Sequence, residues 1–122
     1  MRVNERTLEH TPKEYGMNNT KVPPGHVHLG QAIDINGAKI HVCWIKTTAP
    51  ATVVFQYLTK AKDVVLEETK PLELIPGPTH QRFQFGCYKE NLPLPAMNLR
   101  MKFEATTDQT AIISASGMSQ LQ

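Results

Sequence analysis

AKIHVCWIKTTAPATVVFQYLT, residues 38–59, is the stretch on which the fold turns. It holds the chain's single tryptophan, Trp44, and Cys43, one of two cysteines, inside its densest β-branched and aromatic run. The period is two, which is the signature of a strand. Ile40, Val42 and Trp44 fall on one face of the extended chain, and His41, Cys43 and Ile45 on the other. After the polar corner Lys46-Thr47-Thr48-Ala49-Pro50 the alternation resumes: Val53, Phe55 and Tyr57 oppose Val54, Gln56 and Leu58. Both faces of this second run are partly apolar, as expected of a strand in the middle of a sheet.

Working outward, residues 31–35 form a short strand that Asn36-Gly37 turns into the first run, a strong hairpin signal. Downstream, residues 64–69 and 72–75 are strand-like and separated by Pro71, which places them at a sheet edge. Pro76-Gly77-Pro78 is a firm loop. In 80–88, Phe83, Phe85 and Cys87 alternate with Arg82, Gln84 and Tyr88. A proline-braced connection, Asn91-Leu92-Pro93-Leu94-Pro95, leads to a last hairpin. There Leu99, Met101, Phe103 and Ala105 are followed, across Thr107-Asp108-Gln109, by Ala111, Ile113 and Ala115, and residues 117–122 read as a tail. The pattern predicts an all-β domain over 31–122: an antiparallel β-sandwich, jelly-roll-like, of about seven strands.

Residues 1–30 differ. They carry Pro12, Gly16, Pro23-Pro24 and Gly25, with widely spaced aliphatic residues. One helical turn is expected after Thr11, with threonine as N-cap and Pro12 at the first helical position. The rest reads as an extended N-terminal arm. Ordering such a segment costs about 1–2 kcal/mol per residue, so it needs contacts. Those contacts lie either on its own domain or on a neighbouring subunit; the preferred expectation is docking on a neighbour, by strand addition.

Composition narrows the function. With 122 residues and 40% hydrophobic content, the chain is long enough for one core without staples. Thirteen basic and eleven acidic residues leave a charge of +2, too small and too scattered for a nucleic-acid or anionic-membrane partner. The polar start lacks a signal-peptide core and no window reaches membrane-spanning length, so cytoplasmic synthesis is expected. Two cysteines in strand-like runs read as buried thiols rather than a disulfide framework.

Candidate chemistry is sparse. His26 and His28 project the same way from an extended segment, and His80 follows Pro76-Gly77-Pro78; three such donors suit a metal. Together they resemble fragments of the cupin signature, with His26-Val27-His28 as its HxH and Gly77-Pro78-Thr79-His80 as its GxxH part. The resemblance spans about a dozen residues, and the acid that the signature places soon after its second histidine is absent, Asp34 being the nearest carboxylate. It implies, as an alternative, a small metal-binding protein held by His26, His28 and His80. His41 and Cys43 share a strand face, but same-face neighbours stand too far apart for an activated pair, and packing is the better account. Glu67 and Glu68 point to opposite faces and, with Glu73, fit a charged edge. Of the aromatics, Tyr88 is the exposed candidate for glycan or host-surface recognition, while Trp44 reads as core. Phosphate-loop, dinucleotide and Ser-His-Asp motifs are absent from the sequence.

The expectation is therefore a non-enzymatic structural and interaction protein without cofactor. It would be a small β-sandwich subunit of a larger assembly, virion-associated, as a phage capsid decoration or cement protein is. Its partners would be other protein subunits, met through the arm and in an oligomeric context. A carbohydrate- or host-surface-binding module is the further alternative.

Overall fold

The computed structural model describes residues 6–35, 38–59, 61, 65–86 and 98–121. In chain order these form β1 (Arg6–His10), α1 (Pro12–Tyr15), β2 (Thr20–Val22), β3 (Val27–Leu29), β4 (Ile33–Asp34) and β5 (Ala38–Thr47). They continue with β6 (Ala51–Leu58), β7 (Val65–Glu68), β8 (Leu72–Leu74), β9 (Gln81–Gly86), β10 (Asn98–Ala105) and β11 (Ala111–Leu121). The fold is all-β, with two antiparallel sheets. The first runs β1-β11-β5-β9, with β2 also on β11. The second runs β3-β10-β6-β7, with β4 also on β10 and β8 also on β6.

Long strands form the middle of each sheet and short ones its edges. β11 pairs with β5 from Ile113 to Leu121, while its other side carries β2 at 111–113 and β1 at 117–121. β10 pairs with β6 over its whole length, and takes β3 and β4 on its other side. β7 and β8 line the far side of β6 on either side of Pro71, at the edge where proline is tolerated. Across the second sheet, Arg100 donates to Gln56 Oε1 (2.9 Å from Nε, 2.7 Å from Nη2), and Gln56 Nε2 donates to Glu68 at 3.0 Å. This cross-strand line satisfies Gln56, which is buried on a strand whose two faces are both covered.

Alternate residues of both sheets meet in one apolar cluster. Cys43 and Ile45 come from β5, and Ala111, Ile113 and Ala115 from β11. Val53, Phe55 and Tyr57 come from β6, and Leu99, Met101 and Phe103 from β10. Phe83 of β9 packs at its margin, its ring 5.8 Å from that of Phe55.

The chain changes sheet where the sequence suggests hairpins. The Ile35 carbonyl accepts from Ala38 N–H at 2.9 Å. However, β4 joins the second sheet and β5 the first. Residues Asn36 and Gly37 themselves lie outside the described residues. β10 and β11, the expected last hairpin, also belong to different sheets. Alternation fixes which side chains face inward. It does not say whether the next apolar strand lies beside its predecessor or across the core from it.

The described part of the segment before residue 31 pairs with strands of its own chain. β1 and β2 extend the first sheet and β3 extends the second, while Tyr15, Met17 and Val22 belong to the core cluster. The contacts that offset its ordering are therefore on its own chain. The helical turn expected there is present as a capping box: Thr11 Oγ1 accepts from Glu14 N–H, and the Glu14 carboxylate accepts from Thr11 N–H, both at 3.3 Å. Gly16, at φ +70°, ends it in the left-handed region. The predicted tail is strand as well. β11 continues to Leu121, with Gly117 and Ser119 taking the inward positions.

Cys43 is fully buried and burial pushes its thiol up to about 12, so it is held as an inert thiol. Cys87, the other cysteine, lies outside the described residues. Treatment of the native protein with an aromatic disulfide reagent, followed by peptide mapping, is expected to leave Cys43 unlabelled until denaturant is added. Labelling of Cys43 in the native state would show that this face of β5 opens.

Candidate functional site

The sequence candidates do not converge. His26 precedes β3 and is exposed, and His28 is half-buried within β3, opposite Phe103. His80 is exposed and precedes β9, which belongs to the other sheet. Among the described residues no three His, Cys, Asp or Glu side chains are grouped to hold a metal ion. Tyr88 lies outside the described residues. His41 and Cys43 both point inward, the packed position expected of Cys43, but the imidazole bonds elsewhere and the thiol is pushed away from its reactive form.

What the fold does bring together is a polar chain beneath the N-terminal segment. Tyr15 Oη stands 2.8 Å from His41 Nε2, and His41 Nδ1 stands 2.9 Å from Ser119 Oγ. Ser119 Oγ stands 2.8 Å from His10 Nε2, and His10 Nδ1 lies 3.6 Å from the Glu14 carboxylate. The rings pack on one another, with His10 to His41 centroids 5.6 Å apart and Tyr15 set edge-on to both. His41 and Ser119 are fully buried, Tyr15 is 2% exposed and His10 is 7% exposed, while Glu14 faces solvent.

Each group is placed by a simple local cause. β1 and α1 are joined by the single residue Thr11, whose cap fixes the angle between them. That angle brings His10, at the end of β1, and Tyr15, at the end of α1, over the same patch of β11. His10 pairs with Gly117 and His41 with Ser119 in the strand registers. Gly117 leaves open the space that the Tyr15 hydroxyl fills.

Two effects set the electrostatics. Burial first, and then the charge of His10 beside it, push the His41 imidazole down to about 4, so it is neutral at physiological pH. The Glu14 carboxyl is held below its usual range, first by the Thr11 backbone N–H and further by the hydrogen bonds of the Thr11 and His10 side chains.

Glu14, His10 and Ser119 stand in the order acid, imidazole, hydroxyl that activates a serine nucleophile. The environment does not fit that role. Ser119 has no exposed surface, so no substrate carbonyl reaches its oxygen in this conformation. Its hydroxyl is also shared between two imidazoles. Among the described residues every buried side-chain nitrogen and oxygen has a hydrogen-bond partner. The chain is therefore a closed, satisfied network rather than an open catalytic site.

The surface above it is different. Trp44 is expected from its apolar run to lie in the core, but it is half-buried on the outer face of the first sheet. β5 places His41, Cys43, Ile45 and Thr47 inward, which leaves Ile40, Val42 and Trp44 outward. Trp44 and Met118 form a ridge between two shallow clefts, one of about 280 Å³ and one of about 310 Å³. Thr7, Arg82 and Gln120 line the first, and Glu9, His10 and Ser116 the second. Among the described residues no helix is long and apolar enough to cross a membrane. No protein-family model matches the chain, and no curated protein matches it.

Proposed function

We propose that this chain is a non-enzymatic structural and interaction protein: a β-sandwich of jelly-roll type that packs into, or decorates, a larger protein assembly. A virus particle with a layer of decoration or cement subunits is the specific form of this reading. The observation that carries it is the Trp44 face. An aromatic residue and a methionine stand at its centre, Ile40 and Val42 continue it, and Arg82, Gln120, Thr7 and Glu9 surround it. That is the anatomy of a protein contact, apolar at the centre and polar at the rim. Because the described part of residues 1–30 is committed to its own sheets, the partner contact is assigned to this face instead of an arm. The first partner is a second copy of the chain, since assemblies of one subunit type are usually symmetric.

Light scattering after size exclusion tests this, read alongside Trp44 fluorescence. The expected result is a concentration-dependent oligomer, with Trp44 emission shifting to shorter wavelength on association. Trp44→Asp is expected to weaken association by at least about 100-fold, the loss of one central aromatic anchor. A chain that stays monomeric at every concentration, with unchanged emission, would sink the proposal.

The placement of Trp44 between two polar-rimmed clefts also favours a second reading, a carbohydrate- or host-surface-binding module in which the indole stacks on a sugar ring. A glycan screen with fluorescence quenching separates the readings, because sugar would then quench a monomer.

A further inference from the structure

The buried chain of Glu14, His10, Ser119, His41 and Tyr15 has no role in the reading above. We propose that it is an acid-sensitive clamp: uptake of a second proton by its imidazole pair releases residues 6–16, which carry β1 and α1, while the remaining strands of both sheets stay paired.

Donors and acceptors decide how many protons the pair holds. With both imidazoles neutral, one arrangement runs in a single direction. Tyr15 O–H donates to His41 Nε2, His41 Nδ1–H to Ser119 Oγ, Ser119 O–H to His10 Nε2, and His10 Nδ1–H faces the Glu14 carboxylate. One added proton leaves both nitrogens of the ring that faces Glu14 as donors. The chain then reverses. His10 Nε2–H donates to Ser119, Ser119 O–H donates to His41 Nδ1, and His41, its proton moved to Nε2, donates to the Tyr15 oxygen. Every bond is kept and the charge sits beside a carboxylate, so this state is tolerated.

A second proton is not. Both nitrogens of both rings are then donors, and Ser119 receives an N–H from each side, so its own proton has no acceptor within the pair. Two cations stand with ring centroids 5.6 Å apart, at a site where His41 is fully buried. Among the described residues, charged and titratable groups face the pair from several elements. Glu14 comes from α1, Asp34 of β4 shares a cleft with His10 and Glu14, and Glu9 on β1 lines the cleft on the other side. Tyr15 faces both rings, and β11 contributes Ser119 alone. The carboxylates named here lie on the His10 side of the pair.

Geometry makes the release local. Among the described strands β1 is an edge strand paired with β11 alone, and α1 is a single capped turn. When they leave, β11 is still paired with β5 along its length and with β2 at 111–113. The segment's hold on the sheet includes the His10–Ser119 and Tyr15–His41 bonds, the same two that the second proton disrupts. At neutral pH the segment is a seated edge strand. In acid it becomes a free N-terminal strand, and the outer side of β11 at 117–121 becomes an open edge.

Hydrogen exchange read by mass spectrometry, corrected for intrinsic rates, tests this from neutral pH to just below about pH 4, the lower reach of a buried histidine. Peptides covering 6–16 are expected to lose protection by at least about 10-fold near the bottom of that range, while peptides of β5, β6 and β10 keep theirs. His41→Gln, which keeps a hydrogen-bonding amide but takes no proton, is expected to lower the release midpoint by about one pH unit or more. His10→Gln serves as the second variant if the first does not fold, with the same expected shift. A merely structural role would lower protection equally at every pH and leave the midpoint unmoved. An unmoved midpoint in the folded variant would overturn the proposal, as would simultaneous loss of protection in all strands.

Discussion

Gly117→Ala is expected to destabilise the protein by about 3 kcal/mol or more, enough to lower the melting temperature by roughly 10–20 °C in a domain of this size. Gly117 is buried in the middle of β11, opposite His10 in β1 and Cys43 in β5. A methyl group there would collide with the Tyr15 hydroxyl and come within 2.6 Å of the Val42 carbonyl oxygen. Neither neighbour yields easily. The Val42 carbonyl belongs to a backbone paired on both sides, with β11 and with β9. Tyr15 is fixed by the capped turn that carries it and by its 2.8 Å bond to His41. Overpacking alone costs about 1–3 kcal/mol, and leaving the Tyr15–His41 pair broken in a buried site adds about 1–3 kcal/mol. Against this, alanine recovers only about 0.5–1 kcal/mol of the conformational cost of a strand glycine. Urea unfolding measures the loss directly. In a Tyr15→Ala background the same substitution should cost less, because the ring it strikes is gone and the Val42 contact alone remains. An undiminished cost in that background would place the clash elsewhere.

Gly117 also shows where reading the sequence stops. The alternation of Leu99, Met101 and Phe103, and of Ala111, Ile113 and Ala115, is written in hydrophobic residues and identifies strands and their inward faces. The same alternation continues through Gly117 and Ser119, but there the inward residues are small or polar. The sequence therefore reads as a tail although the strand runs to Leu121. In β5 the ambiguity is of another kind. Ile40, Val42 and Trp44 are at least as apolar as His41, Cys43 and Ile45, and hydrophobicity alone points the wrong set inward. The structure buries His41 because Tyr15 and Ser119 satisfy its nitrogens. Those partners are separated from it by 26 and 78 residues, and His10 lies 109 residues from Ser119, beyond the reach of any local pattern. The short N-terminal strands are hidden for a related reason. β1, β2 and β3 are three to five residues long and too polar to announce themselves, and they are strands because β11 and β10 offer them an edge. By contrast, the Thr11 cap and the edge at Pro71 depend only on neighbouring residues, and both are legible.

The other large effect is a loss of stability in mild acid that originates at His41. Its imidazole is fully buried and titrates at about 4 in the folded protein, against 6.5 when solvated, chiefly because burial disfavours the charged form and secondarily because of the charge of His10. Between those values the unfolded chain binds a proton at this position and the folded chain does not. Stability therefore rises with pH through that window: the contribution is fully present above 6.5 and is lost as pH falls towards 4. A depression of that size corresponds to about 3 kcal/mol. Glu14, whose carboxyl is also held low, acts in the same direction at the acid end, but it faces solvent and is screened. Urea unfolding at a series of pH values is expected to show a falling midpoint below pH 6.5 with little change in slope against denaturant. In His41→Gln the protein should be weaker near neutrality, because a shaped imidazole has been lost, yet its midpoint should be nearly level across the window. The wild-type and variant curves should therefore approach each other as the solution is acidified. If the variant keeps the wild-type slope, the proton responsible binds elsewhere. A level variant curve would identify one buried imidazole, reached by no solvent in the folded state, as the group through which this β fold registers the acidity around it.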